Sequence, residues 1–304
     1  MINIDLSICI VNHRTPELTA ACLSSIERTR DRLSVEVFLL NNTKDDEAAL
    51  RQMASHYSYV TFLQNRQPLG FAANQNQLLQ QSRGRYLMPL NADTELTTGA
   101  LSELVRFMDA HPEVGIAAPK LVFANGAVQR SCRNFPSPAV AFLEASNLWH
   151  LCRDNPCIGR FFYLCAPHDE PMEPDWISGA CYIVRAEAAA RTGYFNAKHF
   201  VGLYLEDTDW CLRMRKQGWK VVFHPQAVVV HHESQSPMNT PSPVAGAGNF
   251  FAFHRLHSSS TQTLMVRTAT VLGFLIRRVL VSEPNQIAHI DAYIQIMIRG
   301  HHSY

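Results

Sequence analysis

Four short segments of the chain carry side chains suited to chemistry. Tyr86-Leu-Met-Pro-Leu-Asn-Ala-Asp93-Thr-Glu95 ends an apolar run with an Asn and an Asp two positions apart. In extended backbone such a pair points the same way, so Asn91 and Asp93 can face one ligand. A carboxylate there can hold a hard divalent cation shared with phosphates. The alternative is that Asp93-Thr94 caps a helix expected to begin near Thr97. Leu205-Glu-Asp-Thr-Asp209, following Asp175-Trp-Ile-Ser-Gly-Ala-Cys181, puts three carboxylates at the start of a helix with Trp210, Cys211 and Met214 on its buried face. They either complement the helix dipole, worth about 0.3–1 kcal/mol per charge, or supply a general base for an acceptor hydroxyl. Phe200 and Tyr204 would shield such a base from water.

The other two segments are less specific. Pro68-Leu-Gly-Phe-Ala-Ala-Asn-Gln-Asn76 sets Gly70 and Phe71 before small residues that open a helix, which permits close backbone approach to a ligand or merely makes a turn. No Gly-Lys-Ser/Thr follows, so it is not a triphosphate loop. Ser7-Ile-Cys-Ile-Val-Asn-His13 is a strand running into a polar loop. Downstream, Val228-Val-Val-His-His232 ends a strand in two histidines, a better ligand candidate than one.

These residues need elements to hold them. Apolar runs at Leu6–Val11, Val35–Leu40, Tyr59–Leu63 and Tyr86–Leu90 alternate with helical patterns at Glu17–Arg28, Asp45–His56 and Ala72–Ser82. That rhythm predicts an α/β fold with a mainly parallel sheet flanked by helices, and ligands beyond the carboxyl ends of its strands. Prolines break the rhythm over about 131–175, read as an irregular excursion over the sheet. A strand at Trp176–Val184, a helix over Glu206–Gln217 and strand-like Val221–Phe223 and Ala227–Val230 follow. A Ser- and Pro-rich linker over Ser234–Gly248 precedes helices near Gln262–Val281 and Gln286–Ile298.

Composition narrows the function classes. The chain has 304 residues, 47% hydrophobic and 17% charged, enough for one large domain with an appendage. A net charge of +1 leaves no basic surplus for nucleic acid. Met1–Val11 has no secretory pattern, so a cytoplasmic location with reduced thiols is expected. Cys132, Cys152, Cys157 and Cys165, with His168 nearby, lack the tight pairing of zinc sites and read better as idle thiols.

In order, Ser-Ile-Cys-Ile-Val-Asn, Gly-Phe-Ala-Ala, Leu-Asn-Ala-Asp, Trp-Ile-Ser-Gly-Ala, Leu-Glu-Asp-Thr-Asp-Trp-Cys-Leu-Arg, Gly-Trp-Lys-Val and Val-Val-His-His resemble a family 2 glycosyltransferase over about residues 5–233, most of all its rhamnosyltransferase-like branch. The resemblance implies a GT-A fold over 1–233 with helices over 234–304 as an extension. It also implies a nucleotide-diphosphate sugar donor, dTDP-rhamnose by branch, a Mg2+ or Mn2+ ion, and inversion at the anomeric carbon. Carried over, Asp93 matches the metal- and diphosphate-binding Asp and Asn91 its partner position. Asp207 matches the catalytic base with Glu206 beside it, and His232 a metal or diphosphate ligand, with His231 the alternative. Asn12 borders the nucleotide. Asn41 stands where an Asp often contacts the base, and Arg14, where Asn is frequent, can reach a phosphate.

The segment Thr263–Leu280, apolar with Arg267, Arg277 and Arg278, is too interrupted to span a bilayer. It reads as a helix packed on the main domain or lying on a membrane surface, the latter matching a lipid-linked rather than a free saccharide acceptor. A cytoplasmic enzyme, peripheral on the inner membrane face and building a surface polysaccharide or glycolipid, is expected. A degenerate nucleotide-sugar-binding module is the alternative. A sugar nucleotidyltransferase is a weaker one, because Asn12-His-Arg-Thr-Pro16 is not a Gly-rich, basic triphosphate loop.

Overall fold

The computed structural model describes residues 4–202, 204–232 and 243–299. Among the described residues ten strands form: β1 (Leu6–Asn12), β2 (Val35–Asn41), β3 (Val60–Gln64), β4 (Tyr86–Asn91), β5 (Thr94–Leu96), β6 (Val114–Val122), β7 (Cys132–Arg133), β8 (Trp176–Ile177), β9 (Ile183–Arg185) and β10 (Lys220–His231). Between and after them lie α1 (Pro16–Thr29), α2 (Glu47–Ser55), α3 (Phe71–Leu79), α4 (Ala100–Ala110), α5 (Pro138–Ser146), α6 (Pro156–Gly159), α7 (Ala186–Thr192), α8 (Glu206–Lys216), α9 (Pro243–His257), α10 (Ser260–Leu280) and α11 (Pro284–Arg299).

Eight strands make one sheet in the order β3-β2-β1-β4-β9-β6-β10-β5, and β7 and β8 pair apart from it. The first four run parallel, as the βα rhythm predicts. Beyond β4 the sheet is mixed: short β9 lies antiparallel between β4 and β6, β10 is parallel to β6, and β5 closes the edge antiparallel to β10. Strand alternation sorts the core onto two faces. Ile8, Ile10, Val37 and Leu39 pack with Leu23 and Ile26 of α1 and Leu104 and Met108 of α4. Cys9, Phe38 and Leu40 pack with Leu78 of α3 and with Trp210 and Met214 of α8 on the other face.

Several boundaries differ from expectation. The run 176–184 is two short strands split at 178–182, because Asn91 donates its N–H to the Ala180 carbonyl at 2.9 Å and pulls that turn onto the end of β4. Val221–Phe223 and Ala227–Val230 belong to one strand, irregular between His224 and Val228. The region 131–175 is partly ordered as β7, α5 and short helical turns. Of the expected linker 234–248, residues 234–242 lie outside the described ones, and 243–248 are helical within α9. The expected boundary at 233 is likewise outside them.

Helix α10 satisfies the packing alternative on one side. Val266, Thr270 and Gly273 are its buried positions. At Gly273 an added Cβ would come within 2.7 Å of the Phe142 carbonyl oxygen and 2.8 Å of the Ala145 Cβ, so the glycine lets α10 cross α5 in backbone contact. The opposite side leaves Leu264, Met265, Leu272, Leu275, Val279 and Leu280 exposed. Among the described residues no helix is long and apolar enough to cross a membrane.

Candidate active site

A cavity of about 470 Å³ opens beyond the carboxyl ends of β1, β4 and β10. Its walls include Val11 and His13 after β1, Phe71 at the start of α3, Asn91 to Asp93 after β4, and His231 at the end of β10. Ser178–Ala180 and the first residues of α8, Glu206 and Asp207, complete it. Of the residues singled out in the sequence, Phe71, Asn91, Asp93, Glu206 and Asp207 line this space together. Asn12, Arg14, Asn41, Gly70 and His232 do not.

The five absent residues have local uses. Asn12 is fully buried, donating to Asn41 Oδ1 at 2.9 Å and accepting from Thr19 Oγ1 at 2.9 Å, so its amide ties β1 to β2 and α1. Asn41 in turn donates to Gln64 Oε1 at 2.9 Å, which commits that amide to the sheet. Arg14 pairs with Asp45 at 3.3 Å on the surface. Gly70 provides close approach as expected, but to protein: a Cβ there would meet the Gly202 nitrogen at 3.1 Å. Phe200, expected to screen the base, packs instead with Ala252 and Phe253 of α9, while Tyr204 does line the cavity.

Asp93 is 4% exposed, yet its Oδ2 has no hydrogen-bond partner. Strand β5 begins at the next residue and helix α4 only at Ala100, so Asp93-Thr94 does not cap that helix. The His232 N–H donates to the Asp93 carbonyl at 2.8 Å, fixing the turn beside the end of β10. Adjacent strand residues face opposite ways. His231 brings its Nε2 to 3.3 Å from Asp93 Oδ1, whereas His232 bonds Glu95 at 2.8 Å. The histidine facing the cavity is therefore His231, not His232. Gln129 holds it from behind, its Oε1 2.8 Å from His231 Nδ1 and its Nε2 2.6 Å from the His231 carbonyl. With Nδ1–H donated to Gln129, the Nε2 lone pair points at Asp93, the arrangement that orients a metal-ligating histidine. Two buried, unpartnered acceptors side by side, Asp93 Oδ2 and His231 Nε2, fit a divalent cation whose other ligands come from substrate. Among the described residues no group of three or more His, Cys, Asp or Glu is arranged to hold a metal, at Cys132, Cys152, Cys157 and Cys165 as elsewhere.

On the facing wall, Tyr204 and Leu205 adopt left-handed backbone at φ 82° and 69°, unusual for bulky side chains, immediately before α8. Asn249 of α9 donates to the Tyr204 carbonyl at 2.9 Å and bonds Val201, holding this turn. Asp207 then accepts from the Gly179 N–H at 3.1 Å and the Thr208 N–H at 2.7 Å. Burial outweighs those bonds and lifts its carboxyl to about 6. Glu206 rises much further, through burial first and the adjacent Asp207 charge second, and its Oε2 has no partner. The two carboxyls thus hold their protons with different strength, Glu206 the more tightly, the separation of roles that two carboxyls in unlike surroundings acquire. Asp209 faces away. Burial opposes its ionisation, but His257 at 2.7 Å and Arg213 at 2.8 Å hold it below the usual range.

Sequence reasoning passed over Arg133 and Glu144, which also line the cavity 3.5 Å apart. Both sit in the proline-broken excursion, where no periodicity marks an inward side; pairing of Arg133 with Trp176 between β7 and β8 brings them in.

The comparisons with known proteins bear on this geometry. Residues 7–153 match the family model for glycosyl transferase family 2, and residues 86–241, just over half the chain, match that for glycosyl transferase family group 2. The chain belongs to the family 2 glycosyltransferases. An N-acetylglucosaminyl-diphospho-decaprenol L-rhamnosyltransferase of Mycobacterium tuberculosis is 28% identical over 166 residues, 52% of this chain and 50% of that protein. The O-antigen biosynthesis protein RfbC of Myxococcus xanthus is 28% identical over 255 residues, 82% of this chain but 19% of its own length. The chain thus spans about half the length, or less, of these curated relatives. Among solved structures, the mannosyltransferase PcManGT of Pyrobaculum calidifontis, in complex with GDP-Man and Mn2+, superposes with a TM-score of 0.59 at 14% identity, covering 98% of this chain and 88% of that one. TarS residues 1–349 of S. aureus, in complex with UDP-GlcNAc, gives 0.60 at 13% identity over 97% and 81%. These likenesses show the GT-A fold.

Proposed function

We propose that this family 2 glycosyltransferase transfers a sugar, with inversion, from a nucleotide-diphosphate donor to a saccharide carried on a lipid. The observation that carries the reading is one cavity with the unpartnered Asp93–His231 pair on one wall and the half-buried Asp207 carboxylate on the other. Asp207, ionised above about pH 6, takes the proton from the acceptor hydroxyl as that oxygen attacks the anomeric carbon. The bond to the nucleoside diphosphate breaks on the opposite face, so one displacement inverts the centre. Gly179 and Thr208 fix the direction of the carboxylate. Asp93 and His231 would hold Mg2+ or Mn2+, which supplies positive charge beside the departing diphosphate. Phe71 and Asn91 line the donor side; Asn12 and Asn41 serve it by shaping the β1 and β2 ends, and Gly70 by seating α3 against Gly202. Arg14 stands at the surface outside the cavity and has no assigned part.

The donor is proposed to be dTDP-rhamnose and the setting surface polysaccharide or glycolipid synthesis, supported by the motif resemblance and the rhamnosyltransferase relatives. Transfer is tested by nucleoside diphosphate release from dTDP-rhamnose in the presence of lipid-linked acceptor extracts. Asp207→Asn is expected to lower turnover by about 10²–10⁴-fold while sparing donor binding; a near-wild-type rate would sink the assignment of the base.

The exposed apolar side of α10, flanked by Arg267 and Arg278, supports peripheral contact with a membrane surface. The protein should float with anionic liposomes, and Leu272→Glu with Val279→Glu should abolish flotation. Flotation unchanged by the double substitution would remove α10 from the contact.

A further inference from the structure

A second cavity, of about 350 Å³, lies between α5, α9, α10 and α11. Its size falls within the range of about 300–1,000 Å³ usual for small-molecule sites. Hydrocarbon dominates its walls, among them Val140, Phe250, Phe274 and Tyr293, and the first cavity's Trp176, Tyr204, Leu205 and Glu144 line it too. The two spaces therefore share a wall beside Asp207. One cationic side chain enters the apolar space from α10: Arg277. Its Nε is buried without a hydrogen-bond partner, and among the described residues its guanidinium makes no ion pair. A guanidinium nitrogen buried without a partner is costly, and phosphate oxygens are the partner the planar fork of arginine suits. Burial raises the Glu144 carboxyl toward its neutral form, which limits repulsion of an anion nearby.

We propose that this second cavity binds the acceptor's carrier: a hydrocarbon chain seated against Val140 and Phe274, with its phosphate on Arg277 and its sugar extending past Trp176 to Asp207. The inference rests on the glycosyltransferase reading and names the place and the chemistry by which a lipid-linked acceptor is recognised.

Geranyl phosphate, geraniol and inorganic phosphate are the probes, titrated by calorimetry into the full chain. Geranyl phosphate should bind wild type, and its affinity should fall at least tenfold in Arg277→Met and in cavity-filling Val140→Trp, with melting temperatures checked. Geraniol should bind wild type and Arg277→Met alike, and inorganic phosphate should not compete with geranyl phosphate. The proposal is overturned if geranyl phosphate does not bind wild type, if both folded variants bind it unchanged, if inorganic phosphate displaces it, or if Asp93→Ala abolishes its binding, which would assign the probe to the donor cavity. Nucleotide-sugar binding, measured separately, should survive in both variants; its absence from wild type would instead be the failure of the transferase reading.

Discussion

Two neighbouring carboxyls with different surroundings govern how the site should respond to pH. As the proposed base, Asp207 must be ionised to accept a proton, so turnover is expected to rise with pH through about 6 and level above it. A rate flat from pH 5 to 8 would contradict its role. Glu206 makes a separate prediction about stability. Its folded-state value lies well above 4.5, so the folded protein binds this proton more tightly than the unfolded chain. The contribution is fully present below about 4.5 and is lost as pH rises through the folded value. Glu206→Gln should therefore raise the melting temperature at pH 8 and make little difference at pH 4. Across the cavity, Gln129→Ala should cost about 10–100-fold in metal affinity by releasing His231, as judged by titrating Mn2+ in the presence of nucleotide sugar. His232→Ala should leave that affinity near wild type. The Asn-Ala-Asp and Glu-Asp motifs were legible at this scale because short-range backbone geometry decides which way such residues face. The choice between His231 and His232 was not, because β10 is irregular between His224 and Val228 and its phase is set by pairing with β5.

Elements differ in how far sequence defines them. The four strands and three helices of the parallel half follow the apolar periodicity to within a few residues, since each buries side chains on a regular face. The turn at 178–182 and the placement of β7 beside β8 depend on partners distant in the chain, Asn91 for the former and Trp176 for Arg133 in the latter. No local pattern encodes those pairings. The α10–α5 crossing makes a test at this scale. Gly273→Val forces a side chain against the Phe142 carbonyl and the Ser146 nitrogen, and destabilisation of about 1–3 kcal/mol is expected, measured by denaturant unfolding. A stability equal to wild type would mean that the two helices do not meet as described. Asn249 of α9 carries a second expectation. Asn249→Ala removes the bonds to the Tyr204 carbonyl and from the Val201 N–H, and should lower turnover without moving the pH midpoint expected of Asp207.

At the scale of the molecule, helices α9, α10 and α11 pack beside the GT-A sheet, and in the proposed reading they complete its acceptor side. Helix α9 reaches back to α8 through His257–Asp209 and to the turn before it through Asn249. The succession of motifs identifies the family, while the second cavity arises only when helices from 243–299 fold onto α5. In the proposed mechanism Asp93 and His231 bind a nucleotide sugar with the help of a metal ion, opposite Asp207. Its most direct test is calorimetric titration of a panel of nucleotide sugars with and without Mn2+ or Mg2+, in wild type, Asp93→Ala and His231→Ala. Selective binding of one donor, dTDP-rhamnose, is expected, strengthened by metal in wild type and losing that strengthening in both variants. Binding of no donor by folded wild-type protein, or metal-strengthened binding that survives both substitutions, would contradict it.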